Sequence, residues 1–178
     1  MLLELVPERW QVINDGVMGG RSRSEVIANE AGMLVRGLLF RGRISLENNG
    51  GFASARCRFR QGFAGISGFR LTVRGDGRSY QFRLRADEHS SSIAWQAVFP
   101  TDGSQQVIDL PLTTLEPVFR GRRVEHAGEL KPAEMYLLGF MLADRQPGNF
   151  ALEVHSIETL QSSLAGFHPH KAVAKHLQ

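Results

Sequence analysis

Cysteine is nearly absent: Cys57 is the only one in 178 residues, so an internal disulfide is excluded and a thiolate cluster has no partners to draw on. Lysine is scarce too. Eighteen of the 21 basic residues are arginine, and two of the three lysines, Lys171 and Lys175, lie near the end of the chain. The longest apolar run, Met135 to Ala143, is about half the ~20 residues a spanning helix requires. The start, Met1-Leu-Leu-Glu-Leu-Val-Pro7, has no basic leader and is interrupted by Glu4 and Pro7, so it is not expected to be a signal peptide. No Asn-x-Ser/Thr acceptor occurs. These absences lead us to expect a soluble protein of a reducing compartment, most simply bacterial cytoplasm.

Signatures of catalysis are missing as well. Gly65-Ile-Ser-Gly68 does not make a nucleophile elbow, Gly16-Val-Met-Gly-Gly20 does not make a dinucleotide loop, and no phosphate loop or His-Glu-x-x-His helix is present. The carboxylates Asp15, Glu47, Asp76 and Asp144 could in principle supply a glycosidase pair, but that needs a spatial separation the sequence does not give, and nothing marks any of them for it. No dense Asp/Glu run suggests a metal, and His168-Pro-His170 lacks a nearby carboxylate or thiol. We expect no catalytic residues, no cofactor and no metal.

What is present is alternation with a period of two, cut by Gly, Asn and Asp clusters, which is the pattern of an all-β sandwich. It predicts strands at Met33–Phe40, Gly51–Arg60, Gly68–Arg74, Ser79–Ala86, Ser92–Phe99, Gln105–Leu110, Met135–Leu142 and Phe150–Thr159. Thr113–Val118 reads as a turn or short helix bounded by Pro111 and Pro117. One domain over 1–161 is expected, with a tail over 162–178 rich in His and Lys. Ala53, Ala55, Cys57 and Phe59 share a strand face, which predicts a buried, inert thiol.

Alternation also sorts the arginines. Phe69, Leu71 and Val73 oppose Arg70, Thr72 and Arg74; Tyr80, Phe82 and Leu84 oppose Arg83 and Arg85; Ser54, Arg56 and Arg58 lie opposite Ala53, Ala55 and Cys57. Because side chains alternate faces along a strand, these arginines point away from the core. If the strands are neighbours, Arg70, Arg74 and Arg83 line one anion-binding face that could receive an acidic protein partner, phosphate or an anionic glycan. A solvated face balanced by acidic neighbours is the simpler alternative. Aromatic stacking platforms are few on the arginine side, so nucleic acid is not expected.

Three loop blocks stand apart: Trp10-Gln-Val-Ile-Asn-Asp-Gly-Val-Met-Gly-Gly-Arg-Ser22, Leu46-Glu-Asn-Asn-Gly-Gly-Phe-Ala-Ser54 and Val73-Arg-Gly-Asp-Gly-Arg-Ser-Tyr80. Gly16, Gly19, Gly20, Gly50 and Gly51, with Trp10, are expected to shape the backbone there. Asp15, Asn48 and Asp76 either cap loop amides or, with Arg56 and Arg85, form a ligand site at one end of the sandwich.

In order and spacing, these blocks and the later pieces Phe99-Pro-Thr, Leu110-Pro-Leu, Phe119-Arg-Gly121 and Asp144-Arg-Gln-Pro-Gly-Asn-Phe150 resemble the complex I intermediate-associated protein 30 family over about residues 8 to 160. The resemblance implies a galactose-binding-like jelly-roll β-sandwich. It also implies a non-enzymatic, chaperone-like role as an assembly factor, with respiratory complex I subunits or intermediates as protein partners. A sandwich of this shape also admits a second reading, a module that binds carbohydrate or a small ligand. Trp95 and Trp10 are expected to be packed inside, which leaves few exposed rings for a sugar.

Overall fold

The computed structural model describes residues 1–30, 37–89 and 92–162. Its strands, in chain order, are Trp10–Asn14 (β1), Arg23–Asn29 (β2), Gly37–Ile44 (β3), Ala53–Arg58 (β4), Ile66–Arg74 (β5), Ser79–Arg85 (β6), Ala94–Pro100 (β7), Gln105–Pro111 (β8), Glu116–Phe119 (β9), Arg122–Arg123 (β10), Leu137–Leu142 (β11) and Gly148–Gln161 (β12). Helical structure among the described residues is limited to short 3-10 turns, so none is long and apolar enough to cross a membrane.

The strands form two antiparallel sheets. One has seven strands in the order β1-β4-β11-β6-β7-β9-β10, the other five in the order β2-β3-β12-β5-β8. This is the expected all-β two-layer sandwich. Alternation drives it: β6 buries Tyr80, Phe82 and Leu84, and β5 buries Phe69, Leu71 and Val73, all at 0% exposure. The inner faces meet where Phe69 packs against Phe82 and Phe150 against Tyr80, while Trp10 stacks on Phe140 and Phe82 meets Phe140 edge-on within the seven-stranded sheet. Cutting one of these rings to alanine removes about 3–5 kcal/mol by the usual cavity cost. Cys57 is buried, with its thiol pushed up by burial.

The eight expected strands all appear, with ends displaced by a few residues; Met33–Arg36, the start of the first, and residues 163–178 of the expected tail lie outside the described residues. Strands β1, β2, β9 and β10 were not expected. The first two flank the Asp-Gly-rich block, and most of their residues are partly or fully exposed, so alternation is weak there. Leu112–Thr114 is the expected turn, but Glu116–Phe119 continues it as a strand. Met1–Leu3 also runs beside β12, with bonds from Thr159 N to Met1 O and from Leu3 N to Ile157 O.

The decisive topological fact is that β5 and β6, separated only by residues 75–78, belong to opposite sheets. Their outward side chains therefore leave the molecule in opposite directions.

Candidate functional site

At the end of the sandwich where β1 leaves and β4 enters, Asp15 is fully buried. Its carboxylate accepts hydrogen bonds from Ser22 N (2.9 Å), Ser22 Oγ (2.5 Å), Gly51 N (2.7 Å) and Phe52 N (3.4 Å). Ser22 Oγ in turn accepts from Ser45 N. One buried anion thus joins the loop after β1 to the loop before β4. Burial acts to raise its pKa, but the Ser22 hydroxyl and then the amides of Gly51, Ser22 and Phe52 outweigh that and hold it below the ordinary value. The nearby glycines follow from this anchor. A Cβ at Gly20 would lie 2.4 Å from Asp15 Oδ1, and one at Gly50 would lie 2.6 Å from Oδ2. Gly19 and Gly51 take positive φ, whereas Gly16 does neither and its place has open space; the expected backbone role for Gly16 is corrected. Asn48, at φ 56, donates from Nδ2 to Gly19 O.

The loop between β5 and β6 reaches the same end of the sandwich. Asp76 accepts from Tyr80 Oη (3.0 Å), Arg78 N (3.2 Å) and, across to β12, Ala151 N (2.8 Å). Beside it Arg78 makes a fork to Asp144 at 2.8 and 2.6 Å and also donates to the carbonyls of Gln146, Gly148 and Asn149. Burial pushes the Asp144 pKa up, but the Arg78 bond and the Gln146 amide bring it below the ordinary value. Burial, and then the Asp76 carboxylate, push the Tyr80 phenol well up. Sequence reasoning quoted Arg78 and Asp144 within motifs but missed their pairing, which spans 66 positions. Asp15, Asn48 and Asp76 do lie toward one end, yet no hydrogen bond joins Asp76 to the other two, and Arg56 and Arg85 are on the sheet face instead. The expectation of one composite site from these five residues is therefore corrected to two separate regions.

The second region is the outer face of the seven-stranded sheet. Cross-strand register sets Gln11, Arg56, Gly139, Arg83 and Gln96 side by side across β1, β4, β11, β6 and β7. Strands lie about 4.8 Å apart, so Arg56 and Arg83 flank Gly139 at roughly 10 Å from each other. The surface dips to a notch at Gly139, where no side chain fits: a Cβ would meet Ala55 O at 2.5 Å. The notch belongs to a groove of about 190 Å³ lined by Ser54, Arg56, Arg83, Arg85, Gly139 and Met141. Gly139 and Met141 were missed because Met135–Leu142 is apolar throughout; the glycine at an outward position was the available signal.

The three arginines differ in their partners. Arg85 donates to Ser92 Oγ and to the carbonyls of His89 and Ser92. Arg56 makes two long contacts of 3.4 Å to Gln11 Oε1. Arg83 reaches only the thioether of Met141 from Nη1, and its buried Nε has no hydrogen-bond partner among the described residues. Burial, and then repulsion from Arg85, lower its pKa from the usual guanidinium range to about 10. Burial lowers that of Arg85 as well, with Arg56 adding to the effect and Asp87 opposing it.

The expectation that Arg70, Arg74 and Arg83 share one face is corrected by the sheet assignment. Arg70 and Arg74 are on the five-stranded sheet. There Arg70 forks onto Asp109 at 2.7 and 2.8 Å, and Arg74 sits opposite Glu153. A wider depression of about 540 Å³ on that sheet includes Arg23, Glu25, Arg41 and Arg43, but Arg41 is tied to Glu25 at 2.8 Å. Trp10, Trp95 and Tyr80 are buried at 8%, 9% and 0% exposure. Among the described residues, no group of three or more His, Cys, Asp or Glu could hold a metal.

The fold is an all-β sandwich of two sheets, and solved structures share it. A family 11 carbohydrate-binding module from Clostridium thermocellum, solved with a β-1,3-1,4-mixed-linked tetrasaccharide, is 12% identical, with a TM-score of 0.71 over 90% of this chain and 95% of that one. The family 30 carbohydrate-binding module of a cellulosomal cellulase of Clostridium thermocellum is 11% identical, with a TM-score of 0.60 over 88% and 94%. At such identities the likeness is one of fold. No curated protein matches the chain. Residues 5–154 match the family of Complex I intermediate-associated protein 30 (CIA30), and the chain belongs to it.

Proposed function

We propose that this chain is a non-catalytic binding module that acts by protein–protein interaction, as an assembly factor for respiratory complex I or a closely similar complex. Family membership supports the reading. The observation that carries it is the outer face of the seven-stranded sheet: three arginines, Arg56, Arg83 and Arg85, converge on a groove otherwise lined mostly by apolar residues such as Ile13, Phe52 and Met141, while both tryptophans and Tyr80 are packed in the core. Arginine is well suited to protein interfaces because its planar fork engages carboxylates with two hydrogen bonds. A lone buried thiol at Cys57 suits a reducing compartment, and we place the protein in the cytoplasm.

The test is affinity capture of the tagged full chain from its source cells, with co-purifying proteins identified by mass spectrometry. Reproducible enrichment of respiratory-chain subunits or their intermediates is expected. Enrichment of no protein over an untagged control would overturn the reading. The second reading, a module for carbohydrate or a small ligand, draws support from the groove lying on a sheet of this sandwich fold. It predicts saturable binding of a neutral oligosaccharide that Arg83→Met reduces.

A further inference from the structure

Most charged groups of the molecule have an opposite or a hydrogen-bonding neighbour. Arg9, Arg21, Arg41, Arg58, Arg70, Arg78 and Arg123 all lie within 4.0 Å of a carboxylate oxygen. Among the described residues Arg83 stands apart: it is half-buried, with a buried Nε that has no partner, and its neighbours are a glycine, a methionine, glutamines and two further arginines. A buried guanidinium without an acceptor costs stability. A chain that only had to fold would be served as well by a neutral side chain of similar length.

We infer that the notch over Gly139, between Arg56 and Arg83, receives a carboxylate side chain from an acidic peptide segment of a partner protein. This rests on the protein-binding reading above and gives it a chemistry. The carboxylate would accept from Arg83 Nη1, displacing the poor thioether acceptor of Met141 and so uncovering the buried Nε, and would share its charge with Arg56 across the notch. Gln11, Gln81 and Gln96 border the notch on the outward face, placed by the register of β1, β6 and β7, and can bond the peptide backbone. Two considerations favour peptide over an acidic polysaccharide. The tryptophans and Tyr80 are unavailable for stacking on sugar rings. The groove, at about 190 Å³, is below the several hundred cubic ångströms typical of pockets that enclose whole ligands, and suits a single inserted side chain.

The experiment uses the purified full chain and four probes: a fluorescent peptide of alternating glutamate and glycine, its glutamine–glycine counterpart, alginate, and free glutarate. Binding is read by anisotropy and by the shift in Tm, for the native chain and for Arg83→Met, Arg83→Lys and Arg56→Met. The glutamate peptide is expected to bind and raise the Tm, and the glutamine peptide to do neither. Arg83→Met should weaken binding about tenfold or more, and Arg83→Lys, which keeps the charge but loses the fork, by a smaller factor. Arg56→Met supplies a second variant should Arg83→Met fold poorly. Equal binding by native and Arg83→Met proteins would overturn the inference, as would no binding of the glutamate peptide. Binding of alginate alone would overturn it in favour of an acidic polysaccharide, and glutarate binding without any advantage for the peptide would reassign the notch to a small anion. The two readings fail separately. Partners captured from cells but retained by Arg83→Met leave the protein-binding role standing without this groove. Peptide binding with no cellular partner leaves the groove without that role.

Discussion

The loop end and the outer face of the seven-stranded sheet treat charge in opposite ways. At the loop end, Asp15, Asp76 and Asp144 each accept several hydrogen bonds, and the Arg78 guanidinium is surrounded by one carboxylate and three carbonyls. On the sheet face, Arg83 has one weak acceptor and a buried Nε with none among the described residues. A charge whose hydrogen bonds are met internally stabilises the fold and has little left to offer a partner. A buried charge whose bonds are unmet does the reverse: it weakens the isolated chain and strengthens a complex. That contrast separates the family-like loop blocks, whose acids are bonded internally, from the sheet face, where the Arg83 guanidinium is not.

The largest expected effect tests the architectural side. Asp15→Ala leaves the amides of Ser22 and Gly51 and the Ser22 hydroxyl without their shared acceptor, so we expect a loss of about 3–4 kcal/mol in chemical denaturation. A loss under 1 kcal/mol would show that the loops hold themselves. Acid should act in the same direction. Asp15 and Asp144 have folded pKa values below their ordinary 3.8, so their contribution is full above that pH and is lost as pH falls through the folded values. Tm measured from pH 6 to pH 2 should therefore drop chiefly below about pH 4, and the drop should be smaller in Asp15→Ala than in the native chain.

Much of this contrast was hidden in the sequence, for definite reasons. Alternation is local, so it correctly separated Phe69, Leu71 and Val73 from Arg70 and Arg74, and Phe82 from Arg83. It carries no information on which sheet a strand joins, and β5 and β6 join different ones despite the short link between them. Hence Arg83 and Arg70 were grouped although they face opposite ways. Asp15 was legible as a loop-holding acid because Asp next to Gly is turn chemistry, yet its bonds to Gly51 and Phe52, 36 and 37 positions away, were not. The groove depends wholly on such distant pairing: Gly139 meets Arg56 on one side and Arg83 on the other only through the sheet register. β1 and β2 escaped notice because much of their length is half exposed, which blunts the contrast between faces.

A smaller effect of opposite sign tests the recognition side. Arg83→Met replaces a buried, poorly paired guanidinium with an apolar chain that can lie over Gly139 beside Met141. We expect the free protein to gain about 1 kcal/mol, seen as a Tm rise of about 2–4 °C for a chain of this size. The sign follows from desolvation: burial disfavours the charged form of Arg83 and no carboxylate offsets it, so the charge costs the free protein stability. A gain in stability with a loss of partner capture is the pattern of a residue kept for binding. A clear loss of stability would instead show that Arg83 supports the sheet.

The smallest effect belongs to Arg70, and it isolates what makes an arginine available. Arg70 and Arg83 both leave their strands outward, and each strand ends on a further arginine, Arg74 and Arg85. Arg70, however, is exposed and already forked onto Asp109, with Glu158 also close enough to act on it. Solvent screens such a pair, and its charge is already answered. Arg70→Gln should therefore leave both Tm and partner capture within experimental error of the native chain, while Arg83→Met changes both. If Arg70→Gln instead abolished capture, the partner would dock on the five-stranded sheet, and internal pairing would no longer distinguish the arginines that bind from those that only face water.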